Sequence, residues 1–149
     1  MLIAASVALT AASRFDLQAE AHARAMTTAL ENMSNGILKI STGERIALFN
    51  RRLVTLLRLN SEDMTVGMSL ETFLNCVGNA NGWDAARIRR VLMNHRQWMA
   101  NDEETSIEHV FDDGRVLSIT CQPVNDGAVL TYDDISMARQ AQYEIAQLA

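Results

Sequence analysis

The last third of the chain alternates short apolar runs with tight-turn sequences, and this pattern constrains the fold most. Three such runs, at residues 105–111, 116–122 and 128–132, are separated by Asp-Asp-Gly and Asn-Asp-Gly. These turn sequences favour short hairpins that join antiparallel neighbours. The sequence therefore predicts three consecutive strands of one antiparallel sheet.

The preceding residues predict two more strands and a group of helices. Strands are expected at residues 37–40 and 45–49, around a turn that contains Gly43. Helical patterns follow at residues 50–59, 69–77 and 83–99, and the Gly-Asn-Ala-Asn-Gly sequence at residues 78–82 predicts a loop. A strand pair, helices and a strand triplet in this order predict an α+β fold with one antiparallel sheet.

Composition narrows the classes of partner and site. The chain has 149 residues and 48% hydrophobic residues, which fits one globular domain. Its formal net charge of -5 gives no basic surface for nucleic acid, so no nucleic-acid partner is expected. Cys76 and Cys121 form no C-x-x-C pair and have no zinc-site spacing, so neither a disulfide framework nor a metal site is expected. A reducing cytoplasm is the expected location.

The first twelve residues are apolar, but they are fewer than the ~20 that span a bilayer. Membrane contact is expected only if they continue a longer segment, which would tether a longer parent protein at the inner membrane. Residues 1–33 are assigned to a separate amphipathic linker helix. Its seam recurs at steps of three and four residues and includes Phe15, Ala19, His22, Met26 and Met33.

Residues 135–149 repeat this pattern at the other end of the chain. Ala138, Ala141, Ile145 and Leu148 follow steps of three, four and three residues. Two apolar seams therefore predict a homodimer that pairs through one or both helices. The alternative for the first helix is packing against the sheet of its own domain.

Three stretches, taken in order, resemble a PAS domain: ALENMSNGILKISTGERIALFNRRLVTLLRL, GMSLETFL and DGRVLSITCQPVNDGAVLTYDDIS. The resemblance is to the PAS subtype of bacterial cyclic-di-GMP signalling proteins. Its entry and helix-start positions are Met33, Ser34, Gly36, Ile37, Asn50, Arg51 and Arg52. Asp134, Ile135 and Ser136 are similar to the Asp-Ile-Thr element that closes the last strand in that family. Ser41 departs from the Asp that this subtype often carries.

The resemblance implies a PAS fold with a five-stranded antiparallel sheet of order 2-1-5-4-3 and helices over one face. It implies that residues 34–134 form the sensor and that 135–149 lead to an output domain, a diguanylate cyclase (GGDEF) or a phosphodiesterase. Asp134, Ile135 and Ser136 would relay the signal, with Asp134 capping the exit helix by accepting from the Met137 amide. The alternatives are the sensor of a histidine kinase and an interaction module without a small ligand.

The resemblance also implies a small pocket between helices and sheet. Its candidate wall residues are Phe49, Ile88, Leu92, His95, Ile119, Cys121 and Leu130. The same pattern describes a core filled by protein side chains, which is the favoured reading, with no cofactor. A small metabolite remains open, as does haem, because haem-binding relatives take an axial imidazole from the helix that carries His95. Flavin is not expected. The stretch that begins at Asn75 and Cys76 matches the photoreactive Asn-Cys-Arg-Phe-Leu-Gln motif at these two residues only.

No catalytic constellation stands out in the chain. Its carboxylates fall mostly in turns, where Asp begins hairpins and caps helices. Cys121 and His109 could form a nucleophile and base on neighbouring strands, but the sequence supplies neither an oxyanion hole nor an orienting group. The chain itself is therefore expected not to be an enzyme.

Overall fold

The computed structural model describes residues 2–148, and side chains from residue 13 onward. The chain divides into two units, residues 1–33 and 34–149. The first contains one helix, α1 (Leu2–Glu31), whose side chains are exposed from residue 13 to residue 29. Within the described residues, no helix combines the length and apolarity needed to cross a membrane. The side chains of residues 1–12, which raised the question of a truncated membrane segment, lie outside the description.

The second unit contains all five strands. Its elements are β1 (Gly36–Ser41), β2 (Ile46–Phe49), α2 (Arg51–Leu56), a 3-10 turn (Ser61–Asp63), α3 (Leu70–Asn81), α4 (Ala85–Ala100), β3 (Thr105–Val110), β4 (Val116–Val124), β5 (Gly127–Asp134) and α5 (Ser136–Leu148). The strands form one antiparallel sheet in the order β2-β1-β5-β4-β3. The predicted fold class and the strand order 2-1-5-4-3 are confirmed.

The core lies between one face of this sheet and the helices. Alternate residues of the central strands are buried, as a half-buried strand requires. Leu130 pairs with Leu38 on one side and with Cys121 on the other, so that the three side chains line up across the sheet. Leu53 of α2 and Phe73 of α3 are fully buried in the same cluster.

Asn50 joins the first strand to the first helix of the sheet unit. Its Oδ1 accepts hydrogen bonds from the backbone N–H of Ile37 at 2.9 Å and of Leu53 at 3.1 Å. Its Nδ2 donates to the Asn35 carbonyl oxygen at 2.9 Å. The side chain is 0% exposed. One buried amide therefore caps α2 and fixes the start of β1.

The prediction of a loop at residues 78–82 is wrong. Helix α3 continues through Asn81, and Gly82 ends it with φ of 75° in the left-handed region. Gly78 lies against the Ile88 side chain of α4, where a larger residue would collide. Asn81 Nδ2 donates to the carbonyl oxygens of Leu57 at 3.0 Å and Val77 at 2.8 Å. Tertiary contacts thus outweigh the poor helix propensity of glycine and asparagine.

The Asn-Asp-Gly turn forms the tight hairpin that the sequence predicts. Val124 pairs with Gly127, which leaves a two-residue loop between β4 and β5. Gly127 has φ of 142°, and a Cβ at this position would collide with the Ile40 carbonyl oxygen of β1. Glycine is therefore needed both for the backbone conformation and for the approach of β1.

Candidate functional site

A cavity of about 50 Å³ lies between helices α3 and α4 and the inner face of the sheet. Its lining is mostly apolar and aromatic. The lining residues are Leu57, Phe73, Leu74, Val77, Trp83, Val91, Asn94, His95, Trp98, Ile107, His109, Phe111, Ile119 and Tyr132. An apolar cavity with a few polar groups is the usual form of a small-molecule site.

His95 is deeply buried in the cavity wall, with 4% of its surface exposed. Its Nδ1 lies 2.8 Å from the Val91 carbonyl oxygen, and its buried Nε2 has no hydrogen-bond partner among the described residues. Because a carbonyl oxygen only accepts, Nδ1 must carry the proton. Burial lowers the pKa of His95 to about 4, against the opposing effect of the Val91 hydrogen bond. At neutral pH, His95 is therefore uncharged, with a lone pair on Nε2.

His109 of β3 contributes a second imidazole to the cavity. Its ring centroid lies 5.4 Å from that of Trp83 and 4.6 Å from that of Phe111. Its Nε2 is also buried and has no partner within the described part of the chain. Burial lowers the pKa of His109, and the charge of Arg87 lowers it further. The cavity thus contains two imidazoles whose lowered pKa values favour the neutral form.

A surface groove of about 660 Å³ adjoins the cavity, because Val91, Asn94 and His109 line both. Asn94 is exposed, so the cavity approaches the surface there. Three arginines of α4 line the groove: Arg87, Arg89 and Arg90. The groove on this side of α4 therefore connects solvent with the wall of the cavity that contains His109.

The last strand and the exit helix are joined by hydrogen bonds to β4. Val116 accepts from the Ile135 N–H at 3.0 Å, and its own N–H donates to Ser136 Oγ at 2.9 Å. Asp134 Oδ1 accepts from the Ser136 N–H at 2.9 Å and from Ser136 Oγ at 2.5 Å. These bonds lower the pKa of the Asp134 carboxyl. The prediction that Asp134 accepts from the Met137 amide is wrong, because the carboxylate closes a shorter turn onto Ser136.

Arg115 lies between Phe111 of the cavity wall and the joint at Val116, where β4 is hydrogen-bonded to Ile135 and Ser136. Its guanidinium lies 4.2 Å from the centre of the Phe111 ring. It donates to the Leu56 carbonyl oxygen and to Asn81 Oδ1, and its Nε lies 2.9 Å from an oxygen of Asp113. The neighbouring residue in the chain is Val116. The side chain therefore connects the ends of α2 and α3 to the strand that holds α5.

A family model described as PAS fold matches residues 30–143 of the sequence. The chain belongs to the PAS fold family. PAS domains are typically sensor modules without catalytic activity, and the expectation that this chain is not itself an enzyme is consistent with that membership. A comparison with curated proteins finds no match.

Several solved structures share the fold of this PAS domain at low sequence identity. The PAS domain of Bordetella pertussis BvgS is 15% identical with a TM-score of 0.57, over 86% of this chain and 98% of that one. The PAS domain of an HTR-like protein from Haloarcula marismortui is 18% identical with a TM-score of 0.50, over 78% and 99%. The sensor region of a sensor histidine kinase is 13% identical with a TM-score of 0.50, over 70% of this chain and 40% of that one.

The candidate pocket residues fall into three groups. His95 and Ile119 line the cavity. Ile88 and Leu92 face a separate groove between α3 and α4, and the remaining residues pack in or against the core: Phe49, Cys121 and Leu130. Sequence reasoning did not include His109 among the pocket residues. The signal was present, because His109 has the same alternation along β3 as Ile107, which pairs with Ile119.

The cavity can be compared with the cofactors that the sequence left open. His95, with Nδ1–H bonded to a carbonyl and Nε2 bare, has the arrangement of a metal-ligating histidine. The volume of about 50 Å³ is nevertheless far below the roughly 300 Å³ at which ordinary small-molecule pockets begin. Haem and flavin do not fit this cavity. Among the described residues, no cluster of three or more His, Cys, Asp or Glu could hold a metal ion.

The pair of Cys121 and His109 does not form a nucleophile and base. Cys121 pairs with Thr105 across the β3–β4 ladder, whereas His109 pairs with Leu117. The four-residue offset separates them by roughly 13 Å along the strand. Burial also raises the pKa of the Cys121 thiol, which disfavours the reactive thiolate.

Proposed function

We propose that this PAS domain is a sensory module that relays the state of its cavity through α5 to an output domain. The observation that carries this proposal is the joint at Val116, where the sheet and the start of α5 share hydrogen bonds. A second contact is the ion pair between Arg139 of α5 and Glu108 of β3. A shift of β3 or β5 relative to β4 would therefore change the contacts of the first turn of α5.

A continuous set of contacts connects the cavity to this joint. The His109 ring lies against Phe111, and Phe111 lies under the Arg115 guanidinium. Arg115 is followed directly by Val116, whose backbone holds Ile135 and Ser136. A ligand that moves His109 would move the residues on which the exit helix is mounted. These contacts support the assignment of Asp134, Ile135 and Ser136 to the relay.

The proposed output is a diguanylate cyclase or a cyclic-di-GMP phosphodiesterase. This rests on the resemblance of the Asn-Arg-Arg and Asp-Ile-Ser elements to the subtype that precedes GGDEF domains. A histidine kinase is the second candidate, because a sensor region of a sensor histidine kinase is among the similar structures. The coding sequence downstream of Ala149 tests both, since each output has its own catalytic motifs. A stop codon at that point would overturn the covalent relay.

Replacing Ile145 by glutamate is expected to weaken self-association of the chain at least about tenfold, because a charge would enter an apolar seam. Ile145 is 68% exposed on α5, as is the rest of its apolar stripe, so pairing would cover it. Phe15→Glu makes the same test for α1. Sedimentation velocity over a concentration series measures the effect.

Met93→Glu is the control, because Met93 is exposed on α4 outside both seams. A wild-type chain that stays monomeric at high concentration would contradict the proposed homodimer.

Replacing Ser136 by alanine is expected to speed hydrogen exchange at the start of α5 at least about fivefold, because the hydroxyl loses its hydrogen bonds with the Val116 N–H and with Asp134 Oδ1, which together contribute about 1 kcal/mol or more. The Arg139 amide reports on this turn, since it donates to the Ile135 carbonyl oxygen at 2.9 Å. Exchange followed by NMR measures the change residue by residue. Ser106→Ala, on the exposed side of β3, is the matched control. Equal exchange in Ser136→Ala and Ser106→Ala would show that the hydrogen bonds of Ser136 do not hold the start of α5, and would contradict their role in the relay.

A further inference from the structure

Two buried nitrogens lack a hydrogen-bond partner at one place in the molecule. His95 and His109 line the same cavity, and each has a buried Nε2 without a partner among the residues that the structure describes. Folded proteins satisfy the large majority of such atoms with protein groups or ordered water. Two unsatisfied atoms that share one cavity indicate that the cavity has an occupant.

The chemistry of this occupant follows first from His95. Its Nδ1 hydrogen is engaged by the Val91 carbonyl oxygen, which leaves only a lone pair on Nε2. His95 therefore requires a hydrogen-bond donor from the occupant. A ketone, an ether or a carboxylate has acceptors alone and leaves this lone pair unpaired.

His109 supplies the complementary group. No internal hydrogen bond of the described chain fixes its Nε2, so the neutral ring can hold its proton there and donate. The two imidazoles then offer one acceptor and one donor. A hydroxyl group both donates and accepts through a single oxygen, so it satisfies the two nitrogens with one functional group.

Size and charge narrow the class further. A volume of about 50 Å³ has room for about three to five water-sized groups. The lining contains no Asp, Glu, Lys or Arg, and the rest of the wall is mostly apolar. A charged ligand would lose its hydration there without gaining a counter-charge. The occupant is therefore small, uncharged and partly apolar.

We propose that the cavity binds a small neutral alcohol whose hydroxyl donates to His95 Nε2 and accepts from the Nε2–H of His109. This inference rests on the proposed sensory function and names the class of its ligand. The groove beside Asn94, which adjoins the cavity, gives the route of entry. Because the bound hydroxyl touches His109, it acts on the first residue of the contacts that lead to α5.

The test titrates the full chain, labelled with ¹⁵N, with 2-propanol and with acetone while imidazole nitrogen resonances are recorded by NMR. The two probes match in size, but only the alcohol has an O–H donor. We expect 2-propanol to shift the His95 Nε2 resonance saturably and acetone to bind about tenfold more weakly. Isopropylammonium is expected not to bind. Equal binding of alcohol and ketone would overturn the proposal. The absence of a shift with either probe would also overturn it, because water alone would then fill the cavity.

Variants of α4 assign the selectivity to His95. His95→Leu is expected to abolish the preference for alcohol over ketone, whereas His95→Gln retains part of it through the amide oxygen. Gln97→Leu, a polar-to-leucine change on the exposed side of the same helix, is expected to keep the full preference. Circular dichroism confirms that each variant is folded. A folded His95→Leu protein with unchanged preference would contradict the assignment.

The ligand class and the relay fail in different ways. If neither probe binds while Ser136→Ala still loosens α5, the ligand class is wrong and the relay stands. If 2-propanol binds through His95 but leaves exchange at the Arg139 amide unchanged, the ligand class is right and the relay fails. Titration and hydrogen exchange on one labelled sample therefore separate the two proposals.

Discussion

Replacing Asn50 by alanine is expected to lower the free energy of unfolding by about 3 kcal/mol, because three backbone groups lose their hydrogen bonds to a fully buried side chain together. The Ile37 and Leu53 N–H groups would lose their acceptor, and the Asn35 carbonyl oxygen would lose its donor. Water cannot replace the amide readily at a side chain that is 0% exposed. The loss should exceed that of an ordinary helix cap, which costs about 1 kcal/mol.

Urea denaturation of the two proteins measures this difference. Asn60→Ala is the matched control, since Asn60 precedes the 3-10 turn, is exposed and makes no capping hydrogen bond with its side chain. The control should stay within about 0.5 kcal/mol of the wild type. A similar small effect of Asn50→Ala would show that β1 and α2 are held by packing alone.

Asn50 also illustrates how far the sequence could predict the fold. The Asn-Arg-Arg element marks a helix start by its resemblance to other PAS domains, and α2 does begin at Arg51. The sequence does not reveal that the same amide reaches back to Ile37 and Asn35, because those contacts exist only after β1 and α2 have packed. A local pattern predicts the cap, whereas the tertiary structure adds its second role.

The sheet was predictable for a similar local reason. Period-two alternation and the Asn-Asp-Gly turn define β4 and β5 almost without tertiary information, and the family resemblance supplies the strand order. The extent of α3 was not predictable in this way. Its last turn contains Gly78 and Asn81, two poor helix formers that are retained by contacts with Ile88 and Leu57.

The residues of the cavity were likewise only partly predictable from local sequence patterns. Helical periodicity places His95 on a stripe with Ile88 and Leu92, yet the end of a helix is also a favourable position for an exposed histidine. Only packing against the sheet decides between these positions, and it buries His95. Ile88 and Leu92 share the stripe but line a separate groove between α3 and α4 rather than the cavity.

Lowering the pH from about 7 to about 4 is expected to cost the protein about 3 kcal/mol of stability through His95 alone. The pKa of His95 falls from 6.5 to about 4 on folding, chiefly because burial disfavours the imidazolium. Between these values the unfolded chain binds a proton that the folded protein does not. The contribution of His95 is therefore complete above pH 6.5, is lost as the pH falls toward 4, and decreases little further below that.

Other groups titrate in the same range, so a matched variant is needed to isolate His95. The pKa of His109 is also lowered by burial, and the pKa of Asp113 is lowered by hydrogen bonds with Arg115, so both add to the loss at low pH. His95→Gln retains a polar side chain at the cavity but cannot titrate. Urea denaturation at a series of pH values should give a shallower fall for this variant, by about 3 kcal/mol between pH 7 and pH 4. Parallel curves for the two proteins would mean that the pKa of His95 is the same in the folded and unfolded chain, and that burial does not disfavour the imidazolium.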